Sequence, residues 1–462
     1  MISFKAIENF SSYQTHLGDL ETTASVLCTD SRKFEAENAF LAIKGPNFDG
    51  YQFAGELASR KTPVIIVEIN DQRMEEFVRW SEAKESTLFI GVSDAILFLQ
   101  ELARNHLELW EKMGGGFRFT VGITGSNGKT THKEMLHALL DSALPGKVYS
   151  SRGNLNNHIG VPLTLLELNQ KHHIGIIEMG TNHPGEIQVL AELAHPQAGL
   201  ISNIGQAHLE FFKNLENVFK EKSSLYREVV KNTDGQGPFI VDGEDDFLSQ
   251  LEECEGLIKL DSRFVSYSDN SFDITDGTHT FKVSNDQIFG SHNFKNLARC
   301  CALALKLFPD KCDAIVKAAS DFTPPAMNRS NWIKSGSNEI FLDAYNANPS
   351  SMKVALESFV SGIGKRGAKL EECFFVLGDM NELGEKTPEF HAEIGQLIEV
   401  LGISQVAFVG RYGKHYKKGF ASGKLYASTE QLAESWPQLK NSYRYFFLKG
   451  SRTLQLESLI DI

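Results

Sequence analysis

The sequence predicts an α/β protein of three domains. Its 462 residues suffice for about three units of roughly 150 residues each. Apolar runs alternate with helical patterns twice, from Phe117 to Ile204 and again from Ile340 to Leu448. Runs apolar on both faces indicate buried parallel strands. Between the first such run and the helix after it lies a glycine-rich turn ending in Lys129, Thr130 and Thr131. Together these predict a small α/β domain over residues 1–92, a central P-loop parallel-sheet domain over 93–322, and a C-terminal Rossmann-like α/β domain over 323–462.

Along the first domain, Ala39–Ile43, Val64–Val67 and Leu88–Gly91 read as short strands, with a helix near Gln52–Ser59. Ser93–Lys112 reads as a long helix, apolar at Ile96, Leu99, Ala103, Leu107 and Trp110. The boundary is placed near Ser93, with the Gly114–Gly116 break as a rival. In the central domain, Phe117–Ile123 is a strand and the following helix carries Met135, Leu136, Leu139 and Leu140 on one face. Ile174–Glu178 and Ala198–Ile204 are further buried strands, Phe264–Phe289 reads as β-hairpins and His292–Phe308 as a helix. In the third domain the apolar runs are Ile340–Leu342, Cys373–Leu377, Val406–Val409 and Tyr445–Leu448. Three of them end in Asp343, Asp379 and Lys449, and ligands gather at strand carboxyl ends in such sheets.

Composition narrows the function. A net charge of −13 argues against general nucleic-acid binding. An anionic substrate needs a local cluster of cations and backbone N–H groups instead. Six cysteines show no C-x-x-C pair and no metal spacing, as expected of reduced thiols in a cytoplasmic protein. The first ten residues, MISFKAIENF, carry no signal-peptide pattern. No apolar run approaches the ~20 residues that cross a bilayer, so no membrane insertion is expected.

The segment from Phe117 to Leu140 carries the strongest chemical signal. Strand, glycine turn, Lys-Thr and helix in that order form a phosphate-binding loop. Glycines let N–H groups crowd around phosphate oxygens, and the helix N-terminus adds unpaired donors. Lys129 is placed on the β- and γ-phosphates and the Thr130 hydroxyl on Mg²⁺. The glycines are Gly122, Gly125 and Gly128, and Ile123 takes the usual first-glycine position. Glu178, after an apolar strand, suits a Mg²⁺ ligand; the bland alternative is a surface carboxylate in a turn. His208 follows another strand and is either a ligand or an ordinary hydrogen-bonding histidine. Lys222 completes the helical face of Leu215, Val218, Phe219, Leu225 and Tyr226, whereas Lys220 falls on the polar side. Such a lysine either has a depressed pKa or snorkels. The loop Gly153–Gly160 is rich in asparagine, which by itself marks only a turn.

Taken together these segments resemble the Mur ligase family, the ATP-dependent amide-forming enzymes of peptidoglycan precursor synthesis. Thr124–Thr131 is similar to the family's ATP loop. Gly153–Pro162, Glu178–Gly180, Ala207–Glu210 and Gly290–Asn296 are similar to its central motifs. Thr29–Arg32, Asp343–Pro349, Leu377–Gly384 and Lys449–Arg452 resemble the branch that adds D-alanyl-D-alanine to a UDP-muramoyl tripeptide. The D-N-P-R run of the diaminopimelate- or lysine-adding branch is absent.

The resemblance implies a reaction through an acyl phosphate, with ATP and Mg²⁺ as cofactors. It implies that Gly125, Ser126, Asn127, Gly128, Lys129, Thr130 and Thr131 hold the phosphates, Asn296 the adenine and Asp343 the ribose. Thr130 and Glu178 would bind one Mg²⁺, and His208 with a carbamylated Lys222 a second. Asp30, Ser31 and Arg32 in the first domain, with Asn47–Gly50, would hold the UDP end. Asn156 and Asn157 would contact the sugar or peptide. Arg329 fits the family's phosphate-binding arginine, although Asn328 replaces the glycine before it. The enzyme is expected to act as a monomer. Two rivals stand beside this reading: another Mur-type or folylpolyglutamate-type ligase, and a nucleotide-dependent binding protein that does not turn over.

Overall fold

A computed structural model of the chain describes residues 1–35, 37–45, 48–60, 62–82, 86–275, 277–325 and 331–461. Each of its three large sheets falls within one of the three predicted segments. In the first, Tyr13–Leu17, Leu88–Val92, Val64–Glu68, Ala39–Leu41 and Leu27–Cys28 lie side by side. The inner strands are apolar and buried because helices cover them. The helix Asp71–Glu82 has no counterpart in the sequence reading. Of its apolar residues Phe77 is fully buried whereas Met74 and Val78 are exposed, so its stripe is too thin to register.

The helix Ala95–Glu111, capped by Asp94, joins this unit to the next. The Trp110 indole donates to the Asn169 carbonyl at 3.0 Å, and His106 Nε2 meets the Leu168 carbonyl at 2.7 Å. Both contacts tie the helix to the middle domain.

The middle sheet has six strands in the order Val148–Ser150, Ile174–Glu178, Phe119–Thr124, Ala198–Ile201, Phe239–Asp242, Leu257–Leu260. Every pairing is parallel. Chain order reverses about Phe119–Thr124, and its carboxyl end is therefore the topological switch point where ligands bind. Behind it, Val265–Ser268, Ser271–Thr275 and Thr280–Ser284 form one three-stranded antiparallel sheet, as the hairpin reading expected.

The third sheet runs Asn331–Ser335, Asn338–Asp343, Tyr445–Lys449, Cys373–Gly378, Val406–Val409, Lys424–Tyr426. Only its first pair is antiparallel. Its core is aromatic, and Phe289 of the middle segment packs on Trp332 and Phe341 at 5.6 and 5.3 Å. Leu209, Phe212 and Val218 are buried in the same cluster as Met380 and Leu383. Among the described residues no helix is long and apolar enough to cross a membrane.

Candidate active site

The strand Phe119–Thr124 runs straight through Ile123, and the tight turn starts only at Gly125. Gly125 has φ 145°, and a Cβ there would lie 1.7 Å from Ser202 Oγ, so no other residue fits. Gly128 has φ 75° and opens the helix Lys129–Ala143. The loop is braced by the next strand end: Ser126 N donates to Asn203 O and Asn127 N to Asn203 Oδ1, at 3.0 and 2.9 Å. The Ser126 hydroxyl bonds the Gly205 backbone, which makes it a brace. Lys129 Nζ curls back on the Gly125 carbonyl at 2.8 Å. That bond to a neutral oxygen is one a phosphate would outcompete.

Glu178 is buried, not a surface residue of a turn. Its Oε1 accepts from Thr130 Oγ1 at 3.1 Å and from Asn156 Nδ2 at 2.8 Å. Its Oε2 is buried without a hydrogen-bond partner, and the Lys133 ammonium stands 4.0 Å away. A buried carboxylate oxygen left unpaired beside a hydroxyl is a hard-oxygen donor set that fits Mg²⁺. Among the described residues no three His, Cys, Asp or Glu side chains gather into a metal cage. An ion here would complete its shell with phosphate oxygens and water, as Mg²⁺ commonly does.

Lys222 lies on the helix Leu215–Thr233 and is 2% exposed, so it does not snorkel, whereas Lys220 is exposed. Burial, reinforced by the charge of nearby Lys129, pushes the Lys222 pKa well down. Its helix buries more than the apolar stripe, because Glu221, Ser223 and Ser224 are also covered. The Glu221 carboxylate accepts from Gly185 N and Ile187 N at 2.7 and 2.8 Å, capping the helix Glu186–Ala194. His208 sits at φ 54° just before the short helix Leu209–Phe212. Its Nδ1 lies 2.5 Å from Glu382 Oε2 of the third domain, an ion-pair contact too oblique for an aligned hydrogen bond.

Ser126, Asn127, Gly128, Lys129, Glu178 and His208 line one cleft of about 760 Å³ together with Asp343, Asn346 and Lys449 of the third domain, whereas Thr130 and Lys222 are not among its lining residues. Lys449 pairs with Asp343 and donates to the Asn346 carbonyl at 3.2 Å. Asn296 also lines the cleft, held by Arg299 Nη2 at 2.8 Å. Arg299 in turn meets Asp242 at 2.7 Å and His132 at 3.3 Å. His132 closes the chain on the Gly128 carbonyl at 2.8 Å, and burial pushes its pKa down to about 3. The loop also touches the third domain: Asn348 Nδ2 donates to Asn127 Oδ1 at 2.7 Å, and Asn127 Nδ2 to Ser350 Oγ at 3.2 Å.

Of the other predicted residues, Thr131, Asn156 and Asn157 line the cleft. The Asn157 side-chain Oδ1 accepts from Gly160 N at 2.8 Å, at the start of Gly160–Leu166. Asp30, Ser31 and Arg32 are not brought into the cleft. Asp30 caps a short 3₁₀ turn and pairs with Arg32, which holds its carboxyl down to about 2. Arg329 and Asn47 lie outside the described residues. Sequence reading missed Arg299 and His132, and it held Asn348 and Glu382 only as members of motifs, without a role. The first had a signal, since it falls on the same helical face as Asn296, three residues earlier.

Residues 123–304 match the model of the Mur ligase middle domain, and residues 328–451 that of the Mur ligase, glutamate ligase domain. The UDP-N-acetylmuramoyl-tripeptide–D-alanyl-D-alanine ligase of Haemophilus influenzae is 32% identical over 96% of this chain and 94% of its own. The ligase of the same name from Bacillus subtilis is 30% identical over 95% and 93%. A crystal structure of MurF from Acinetobacter baumannii superposes with a TM-score of 0.79 at 28% identity, covering 94% of this chain and 92% of that one.

Proposed function

The chain belongs to the Mur ligase family, and from that premise we propose that it joins D-alanyl-D-alanine to UDP-N-acetylmuramoyl-tripeptide. ATP is converted to ADP and phosphate, and the product serves peptidoglycan synthesis. The observation that carries this reading is the cleft itself. The strand-end motifs of the third domain, Asp343–Pro349 and Lys449–Arg452, deliver Asp343, Asn346 and Lys449 to the same space as the Lys129 loop. An ATP loop alone would fit a switch protein; a second domain completing its cleft fits a two-substrate ligase.

The substrate carboxylate attacks the γ-phosphorus of ATP, giving an acyl phosphate and ADP. The dipeptide amine then adds to the acyl carbon, loses a proton, and phosphate leaves from the tetrahedral adduct. Catalysis is then positioning and charge neutralisation. Lys129 neutralises phosphate oxygens, with Gly125, Ser126, Asn127, Gly128, Thr130 and Thr131 shaping the loop. Asn296 reads the adenine and Asp343 the ribose, with Arg329 assigned to the phosphates on its motif alone. Thr130 and Glu178 would hold one Mg²⁺, and His208 with carbamylated Lys222 a second. Such ions supply charge neutralisation at the phosphates. Lys222 is suited to carbamylation because burial favours its neutral amine. The amine nitrogen bonds CO₂ carbon and releases a proton, leaving an anionic carbamate.

Asn156 and Asn157 contact the sugar or peptide, and Asp30, Ser31 and Arg32 the UDP end. On this reading the chain divides at 92/93 and 322/323 and works as a cytoplasmic monomer.

The test is phosphate release from ATP by the purified protein against a panel of UDP-muramoyl peptides and amines. Release should require both a tripeptide acceptor and D-Ala-D-Ala. Ligation of a single amino acid to the dipeptide precursor, without activity toward D-Ala-D-Ala, would overturn the reading. ATP binding without turnover would favour the switch alternative.

A further inference from the structure

We propose that Glu382, on the third domain, is a positioning residue for His208 of the middle domain, so that the cleft is complete only when the two domains are docked. The inference rests on the ligase reading above. Four observations carry it. Glu382 Oε2 lies against His208 Nδ1, and Glu382 itself does not line the cleft whereas His208 does. The two backbones are locked to each other as well, since Glu210 N donates to the Glu382 carbonyl at 3.1 Å. Both residues hold left-handed backbone, φ 54° at His208 and 61° at Glu382. Left-handed backbone is unfavourable for a non-glycine residue, and it persists where surroundings enforce it. Beneath them Leu209 and Phe212 are buried with Met380 and Leu383, so the two turns are pressed together by a shared apolar contact.

The consequence is chemical. An ionised carboxylate presents only lone pairs, so its charge favours a proton on the Nδ1 it faces even without an aligned hydrogen bond. The Nε2 lone pair is then the one left available to a ligand. A carboxylate behind a histidine fixes the tautomer and the ring orientation, and losing such a partner typically costs 10–100-fold. Here the partner comes from another domain, 174 residues further along the chain. Undocking would release the ring from its fixed tautomer and weaken the site before substrate is committed.

The test uses the full-length protein. Glu382→Asn tolerates the left-handed backbone but is too short to reach His208. Glu382→Gln keeps an acceptor oxygen at the same reach. The expected result is a 10–100-fold loss of kcat in E382N, with KM for ATP within about twofold and most activity kept in E382Q. Half-saturating Mg²⁺ should rise in E382N by a similar factor. Independently of activity, ¹⁵N-histidine spectra should show His208 protonated at Nδ1 in the wild type and in E382Q, and as a tautomer mixture in E382N. The His208 signal is identified by its loss in His208→Gln. If E382N keeps wild-type kcat while the wild type ligates normally, the inference fails and the ligase reading stands. A fall in kcat with the tautomer unchanged makes Glu382 a docking contact and equally overturns it.

Discussion

At the carboxyl end of one middle-sheet strand a buried carboxylate keeps an oxygen without a hydrogen bond; at those of the third-domain sheet the carboxylates are ion-paired or capped by backbone N–H groups. Glu178 keeps one buried oxygen without a hydrogen-bond partner, the Lys133 ammonium standing 4.0 Å away, and burial holds Lys222 of a neighbouring helix toward its neutral form. Across the cleft, Asp343 is paired with Lys449. Asp379 accepts from Arg411 N and Tyr412 N at 3.1 and 2.9 Å. The two sheets share a parallel, doubly wound plan, so fold does not account for the contrast. A buried polar atom without a hydrogen bond costs stability unless a ligand compensates it. The middle sheet therefore stores its incomplete interactions where phosphates and metal would complete them. The third sheet spends its polar groups on holding shape, and it reaches the chemistry through docking contacts.

The contrast breaks most clearly at Lys129. Removing it should abolish turnover while leaving the fold intact, because the hydrogen bonds its Nζ makes to the Gly125 and Ser126 carbonyls are to its own loop. Its role at phosphate oxygens in a dry site is worth several kcal/mol. Lys129→Ala should keep the wild-type melting temperature within a few degrees and less than a tenth of wild-type kcat. A more active variant would mean that the loop backbone alone carries the phosphates.

Next in size is the pair Lys222 and Lys220. Lys222→Ala should lose most activity, and acetate should partly restore it by placing a carboxylate in the vacated space. Lys220→Ala, on the exposed face of the same helix, should be nearly silent. High-resolution density showing a bare ammonium at Lys222 under CO₂-replete conditions, with a fully active alanine variant, would falsify the carbamate.

How much of this was legible in the sequence follows from distance along the chain. The phosphate loop, Glu178 and the apolar face that carries Lys222 are written in windows of some twenty residues, through periodicity and turn chemistry, although that face alone left burial and snorkelling open. The bracing of Asn127 by Asn348 spans 221 positions, and the contact of Arg299 with His132 spans 167. No local pattern encodes such pairs; the first appears only when the third domain meets the phosphate loop, and the second only when the helix Ser291–Leu307 packs on the helix Lys129–Ala143. The first domain shows the opposite limit. Asp30 and Arg32 are two residues apart and satisfy each other, so their motif is readable while nothing local says what ligand they meet.

The smallest expected effect separates the domains by acid. Behind the middle-sheet loop lies His132, and behind the third-sheet loop His391, whose Nδ1 donates to the Thr387 carbonyl while Nε2 accepts from Met380 N. Both are fully buried, and burial pushes their pKa down to about 3 and about 4. In the unfolded chain these imidazoles take up protons near pH 6.5. The folded chain resists until pH 3 to 4, so unfolding binds protons throughout that interval and stability falls as pH falls. Above pH 6.5 the contribution is intact; by pH 5 each histidine has cost its domain about 2 kcal/mol. Multi-domain unfolding is not one transition, so the readout must resolve domains. Hydrogen exchange followed by mass spectrometry at pH 7, 6 and 5, corrected for intrinsic rates, does so. His391→Gln removes the titrating group and leaves an amide that can still bond its neighbours. It should flatten the pH dependence of protection in the third domain by about one proton and leave that of the middle domain unchanged. Equal flattening in both would mean that the two sheets unfold as one unit, and the contrast between them would then be chemical only.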